Sequence, residues 1–330
     1  VSISAITSDG ATVNWVPGYQ ESAWEMEYRP LSDTNWTSMG TVTSMSEILT
    51  GLTANTTYKV RMRSDCGGEY SYWTETDFTT ACGAIAAPWS EDFEGYTDQM
   101  NPRWTEVFPD CWTLVAQYTG AAMNEIGDQI DTLPQIYRAF NTTEGGNYTL
   151  RMHFNSLIAM PELDEDVDLA NVRLSLNVRQ PYWRYKLQIG VMTDRDDPET
   201  FVPVAVVNNS GKDMTYFECG FNNYQGEGRY IAFKNIGNSE NDPYCTNYLD
   251  DITLTYVDPE ECVMYLPYEE DFEAYVPNGE PYCWEVITED VALTSTTKPM
   301  VYAGFNTTDG GQNTLRMRNR CVYAMPHMMS

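Results

Sequence analysis

The sequence contains one segment written twice, and that repeat limits the folds open to it. Glu91-Asp92-Phe93-Glu94-Gly95-Tyr96 recurs as Glu270-Asp271-Phe272-Glu273-Ala274-Tyr275, and Cys111-Trp112 as Cys283-Trp284. Phe140-Asn141-Thr142-Thr143-Glu144-Gly145-Gly146 recurs as Phe305-Asn306-Thr307-Thr308-Asp309-Gly310-Gly311. Thr149-Leu150-Arg151-Met152 returns as Thr314-Leu315-Arg316-Met317, and Ala159-Met160-Pro161 as Ala324-Met325-Pro326. Order is kept and spacing shifts little, so two copies of one module are expected, over 83–260 and 261–330. The second covers less than half of the repeat. Half a sandwich leaves its inner face bare, so a further segment or a neighbouring chain is expected to complete it.

Within 83–260 the apolar residues alternate along 172–178, 185–189 and 230–233, with turn-forming clusters at 194–198 and 225–228. Residues 1–82 alternate in the same way at 11–15, 24–28 and 57–63. Nothing keeps a helical period, so the expected class is all-β, one small sandwich followed by larger ones.

The 330 residues carry 19 Lys and Arg against 48 Asp and Glu, a formal charge of −29. Such a surface repels phosphate backbones and anionic lipid, which excludes nucleic acid as a partner. Divalent cations would relieve the repulsion, although acidic surface also serves solubility alone. No run of 18 apolar residues occurs, so no transmembrane helix and no membrane insertion are expected. With two histidines, His153 and His327, the chain has almost no material for a Ser-His-Asp or Cys-His device or a histidine zinc site. His153 aligns with Arg318 in the repeat, so the module does not require an imidazole there. No catalytic residue is singled out.

Eight cysteines and six Asn-x-Ser/Thr sequons, Asn35 and Asn141 among them, are compatible with an oxidising compartment. Cys82 and Cys111 bracket the first Glu-Asp-Phe-Glu, and Cys262 and Cys283 the second. The recurrence argues for Cys82–Cys111 and Cys262–Cys283 disulfides, each worth roughly 3–4 kcal/mol by chain entropy. Cys219 and Cys245 are a candidate third pair. Buried thiols, or a Cys66–Cys82 bridge, are the alternatives.

Residues 1–82 resemble a fibronectin type III domain. Trp15 stands at that family's core tryptophan, and Leu52-Thr53-Ala54-Asn55-Thr56-Thr57-Tyr58 matches its tyrosine corner. Residues 83–260 resemble the cleaved-adhesin family, jelly-roll domains of gingipain and haemagglutinin adhesin regions, related in shape to MAM domains. The resemblance is carried by Glu-Asp-Phe-Glu, Cys-Trp, Gly190-Val191-Met192-Thr193-Asp194, Thr200-Phe201-Val202-Pro203-Val204, Gly228-Arg229-Tyr230-Ile231-Ala232-Phe233 and Tyr248-Leu249-Asp250-Asp251-Ile252. It implies secretion, often by the type IX route, to the exterior or outer-membrane surface of a Gram-negative bacterium. It also implies binding of a surface protein or glycan rather than catalysis. The alternatives are an accessory region of a larger secreted protease or glycosidase, or a structural piece of a surface fibre.

Two sites are expected. Strict alternation over 249–254 places Asp250 on one face with Ile252 and Leu254, where a carboxylate needs a partner or a metal. By the resemblance a structural calcium lies there, with Asp92 and Glu94 on its other side and Asp271 and Glu273 in the second copy. The alternative is a half-exposed Asp250 and a solvated Glu94. Tyr182, Trp183 and Tyr185, with Arg179 and Arg184, form a candidate sugar platform, or else ordinary core and turn packing.

Overall fold

The computed structural model describes residues 1–99, 107–116, 134–153, 155–181, 185–207, 213–222, 224–237, 245–257, 263–265, 267–273, 281, 283–287, 300–307, 310–317 and 322–329. It is all-β, with short 3-10 turns and no α-helix among the described residues. The chain divides into two compact units, Val1–Ala84 and Ile85–Ser330.

The first unit is a two-sheet sandwich. Its strands are β1 (Ser2–Ser4), β2 (Gly10–Asn14), β3 (Trp24–Pro30), β4 (Thr37–Val42), β5 (Ser46–Thr50), β6 (Thr57–Ser64) and β7 (Thr74–Thr79). They form the sheets β1-β2-β5 and β4-β3-β6-β7. Alternation selects the core: Ala11 and Val13 from β2, Trp24 and Met26 from β3, and Tyr58, Val60 and Met62 from β6 are all buried. Trp15 meets Trp24 edge-on with centroids 5.7 Å apart. The Tyr58 hydroxyl accepts a hydrogen bond from the Thr53 backbone N–H at 2.9 Å, which closes the corner expected from the sequence.

The second unit contains a larger sandwich. Its strands are β8 (Trp89–Glu91), β9 (Thr113–Ala116), β10 (Gln135–Tyr137), β11 (Thr149–His153), β12 (Leu157–Ala159), β13 (Val172–Arg179), β14 (Lys186–Met192), β15 (Val202–Val207), β16 (Thr215–Gly220), β17 (Tyr230–Ile236) and β18 (Thr246–Tyr256). One sheet has the order β10-β11-β18-β13-β16, with β8 also paired to β18; the other is β15-β14-β17-β12-β9. Leu150, Leu174 and Leu249 of the first sheet and Leu187, Ile189, Val191 and Phe233 of the second are fully buried in one core.

β18 departs from strict alternation. Against β13, Asn177 faces Asp250 and Ser175 faces Thr253, so two residues, Asp251 and Ile252, oppose Leu176 alone. This is a β-bulge, and Asp251 takes the left-handed conformation that such bulges use (φ 48°). The extra residue resets the phase, so Leu249, Ile252 and Leu254 all reach the core. Asp250 therefore lies on the face opposite Ile252 and Leu254, which corrects the sequence expectation. A regular strand would have turned either Leu249 or the Ile252–Leu254 pair away from the core.

The repeated segment forms β19 (Val263–Tyr265), β20 (Glu285–Ile287), β21 (Met300–Ala303), β22 (Asn313–Arg316), β23 (Val322–Ala324) and β24 (His327–Met329). β21 and β22 pair as Met300↔Arg316 to Tyr302↔Thr314, the register that β10 and β11 show as Gln135↔Arg151 to Tyr137↔Thr149. β20 and β23 match β9 and β12, Glu285↔Ala324 standing where Thr113↔Ala159 stands. Left-handed backbone recurs as well: Phe93, Cys111, Phe140 and Gly145 in the first copy, Phe272, Cys283, Phe305 and Gly310 in the second. The two segments share a backbone design as well as a spelling.

Candidate functional site

The Glu-Asp-Phe-Glu motif folds on itself before it reaches anything else. Glu91 Oε1 accepts the Phe93 N–H at 2.8 Å and Asp92 Oδ1 accepts the Glu94 N–H at 3.0 Å. Phe93 is held at φ 59° with its ring fully buried, 6.1 Å from Trp112. Burial of the ring offsets the strained backbone.

That turn aims Glu94 at the loop between β10 and β11. Its Oε1 accepts the backbone N–H groups of Asn147 and Tyr148, both at 2.7 Å, and the Asn141 side-chain amide at 3.0 Å. The loop presses so closely that a Cβ on Gly146 would lie 2.5 Å from both Glu94 Oε1 and Asn141 Nδ2, so any larger residue there would push the two clasp side chains aside. The second copy repeats the clasp. Glu273 Oε1 accepts Gln312 N at 2.8 Å, Asn313 N at 2.7 Å and Asn306 Nδ2 at 2.5 Å, and Asp271 caps the Glu273 N–H at 3.0 Å.

The other side of the loop rests on the bulge of β18. Asp250 Oδ2 accepts Thr142 N at 2.6 Å and lies 2.9 Å from Thr142 Oγ1, which also reaches Asp251 Oδ2 at 2.6 Å. One hydroxyl proton cannot serve both carboxylates. Thr143 Oγ1 donates to Asp251 Oδ1 at 2.7 Å, and Asn177 Nδ2 donates to Asp251 Oδ2 at 3.0 Å. Asp250 is fully buried, and its Oδ1 has no hydrogen-bond partner among the described residues. Burial pushes the Asp250 carboxyl up to about 6; Thr142 pulls it down, and neighbouring Asp251 raises it further.

Asp250 is thus buried under the loop of residues 140–148, on the outer face of its sheet. Glu94 and Asp250 serve opposite sides of that loop, while Asp92 caps a turn. Among the described residues no three His, Cys, Asp or Glu side chains are grouped to hold a metal. Thr142, Thr143, Asn177 and Asp251 were not singled out from sequence, although the repeat of Asn141-Thr142-Thr143 as Asn306-Thr307-Thr308 marked the loop.

Cys82, Cys111 and Cys283 are disulfide-bonded; Cys262 lies outside the described residues. Cys219 and Cys245 are buried thiols, which corrects the expected third bridge. The register gives the reason. Cys219 faces Leu174, which faces Leu254, whereas Cys245 precedes Thr246 at the far end of β18. Nine residues of strand separate the two levels, roughly 30 Å, far beyond disulfide reach. Of the expected sugar platform, Tyr182, Trp183 and Arg184 lie outside the described residues. Tyr185 is fully buried and cannot present its ring to a ligand.

No family model and no curated protein matches the chain. Solved structures do. A redesigned β-sandwich protein is 28% identical over 24% of this chain and 89% of its own, with a TM-score of 0.23. The fibronectin type III domain of human collagen XX is 20% identical over 24% of this chain and 84% of its own, TM-score 0.23. That of human fibronectin type III domain containing protein 3 is 12% identical over 25% and 82%, TM-score 0.23. The chain is an all-β protein whose structural neighbours, over about a quarter of its length, are fibronectin type III and related β-sandwich domains.

Proposed function

We propose that this chain is a non-catalytic, adhesin-like array from the exterior of a Gram-negative bacterium: a fibronectin type III-like module, then cleaved-adhesin-like jelly rolls that recognise a surface protein or glycan. The observation that carries this reading is the repeated clasp. In both copies a glutamate, an asparagine side chain and two backbone amides are spent on holding one surface loop in shape. Carboxylates committed to such bonds preorganise a surface, as recognition needs. In the first copy, consecutive strands pass repeatedly between the two sheets, as a jelly roll requires.

Calcium belongs to this reading. A buried carboxylate oxygen without a partner, a second carboxylate beside it and two threonine hydroxyls make a hard-oxygen donor set. Asp250 and Asp251 are the residues that would hold the ion, with Thr142 and Thr143 adjoining. A bound ion there would neutralise the pair of carboxylates and stiffen the loop. Calorimetry before and after chelation tests it: a fall in melting temperature reversed by added calcium supports the site, and an unchanged temperature rejects it. Binding of the whole chain to glycan and extracellular-protein arrays tests the recognition function, and silence on both rejects it.

A further inference from the structure

Three connections meet at one end of the first sandwich: residues 15–23 between β2 and β3, 43–45 between β4 and β5, and 65–73 between β6 and β7. Trp24 of β3 pairs with both Val42 and Ser64. The Trp15 N–H donates to the Met45 carbonyl at 3.1 Å, and the Asp65 N–H to the Ala23 carbonyl at 2.9 Å. On these loops Tyr72 is 98% exposed, Val16 87% and Tyr19 84%, and Met45 and Tyr70 are exposed as well. Single exposed apolar residues are ordinary, whereas these gather at one end. A ring so open to water adds almost nothing to the stability of the fold.

The loop that carries Tyr72 is closed by its own bonds. Asp65 Oδ1 accepts the Gly67 and Gly68 N–H groups at 2.9 and 3.1 Å, and the Cys66 N–H donates to the Glu69 carbonyl at 2.8 Å. Ser71 donates its N–H to the Ser64 carbonyl at 3.1 Å and accepts the Ser64 N–H on its hydroxyl at 2.9 Å. The Arg63 guanidinium lies 3.9 Å from the centre of the Tyr70 ring and 4.5 Å from that of Trp73. That of Arg61 lies 4.4 Å from Trp73 and 3.9 Å from Trp36. Each arginine also meets a carboxylate at 2.6 Å, Arg63 with Glu25 and Arg61 with Glu27. Tyr70 and Trp73 are anchored in this way, and the ring between them in sequence, Tyr72, stands in water.

We propose that this end of the first unit docks a lysine- or arginine-rich segment of another protein, Tyr19 and Tyr72 meeting its cations with their ring faces and Glu69 pairing with them. The inference concerns the first unit and goes beyond the recognition assigned to the jelly rolls. Charge complementarity selects the occupant. Glu21, Asp65 and Glu69 lie on the same loops as the rings, and those loops contain no lysine or arginine. The bases of the unit are committed elsewhere: Lys59 to Glu75 and Asp77, Arg61 to Glu27, Arg63 to Glu25, and Arg29 to the Asp33 carbonyl and the Trp36 ring. Arg61 and Arg63 also display how a cation is gripped here, with aromatic rings beside it and a carboxylate on its N–H groups. The exposed loops present the same two kinds of group to a partner. Loops already set in shape, and tyrosines with few rotatable bonds, lose little entropy on binding.

The test is titration calorimetry of the whole chain with octalysine and octaarginine peptides, joined to hydrogen exchange. A chain of net charge −29 attracts cations over its whole surface, so location decides. At least one peptide is expected to bind and to protect amides within 15–23 and 65–73. Tyr19→Ala and Tyr72→Ala are each expected to weaken that binding roughly fivefold, the loss of a cation–ring contact. Both rings are exposed, so an unchanged melting temperature separates contact from folding. Glu69→Gln is expected to weaken binding about threefold. Asp196→Asn with Glu199→Gln, exposed carboxylates between β14 and β15, is expected to leave it unchanged. No binding of either peptide, wild-type affinity in both tyrosine variants, an equal loss in the remote pair, or protection confined to other segments overturns the proposal. Glycan and extracellular-protein arrays bear on the jelly rolls separately, so their reading stands if this surface falls.

Discussion

Glu94→Ala should loosen the second unit by an amount that the clasp itself fixes. Three donors converge on one oxygen of Glu94, at 2.7, 2.7 and 3.0 Å. Tyr148 is buried, so its N–H is left without an acceptor, at about 2 kcal/mol. The partly buried Asn141 amide adds about 1 kcal/mol, and the exposed Asn147 N–H recovers water at little cost. The sum is about 3 kcal/mol. For a unit of this size that lowers the melting temperature by roughly 6–12 °C. Scanning calorimetry in chelator reads the shift free of any metal contribution, and hydrogen exchange reads the Tyr148 amide directly. A shift below about 2 °C with the Tyr148 amide still protected would refute the reasoning.

Three other outcomes are expected. Burial, with Arg151 nearby, holds His153 down at about 4. Its neutral form therefore contributes stability that is complete above about pH 6.5 and lost as pH falls towards 4, at most about 3 kcal/mol; denaturation of His153→Gln across that range should show a flatter pH profile. Tyr58→Phe removes the acceptor of the Thr53 N–H and should cost the first unit about 1–2 kcal/mol by urea titration, with an unmoved midpoint counting against it. Thiol labelling should modify exposed Cys66 at once and Cys219 and Cys245 only on unfolding, and a Cys219–Cys245 disulfide in a peptide map would contradict the register of β18.

Where residues interact locally, the sequence was readable. Glu-Asp-Phe-Glu is a turn closed by bonds spanning two residues, so its copy at 270–273 closes in the same way. The tyrosine corner spans five. Contacts made across the fold were not readable. Asp251 meets Thr142 from 109 positions away and Asn177 from 74, and composition does not announce such pairings. Alternation also misassigned Asp250, because a single bulge shifts phase without leaving a mark in the residue pattern. The same long-range register set the levels of Cys219 and Cys245 far apart.

The pairing of β8 with β18 has a mechanical consequence. Trp89 lies opposite Leu254, and Glu91 opposite Ile252. The chain thus runs into the sandwich and out of it at the same end of one short antiparallel ladder. Cys82 and Cys111, both disulfide-bonded, lie on either side of that ladder in the chain. With the bridge between them that the repeat argues for, a pull on the chain crosses the sulfurs and leaves residues 83–110 without load. The short ladder and the grip of Glu94 are thereby sheltered from tension, and cutting the bridge by reduction would expose both to it.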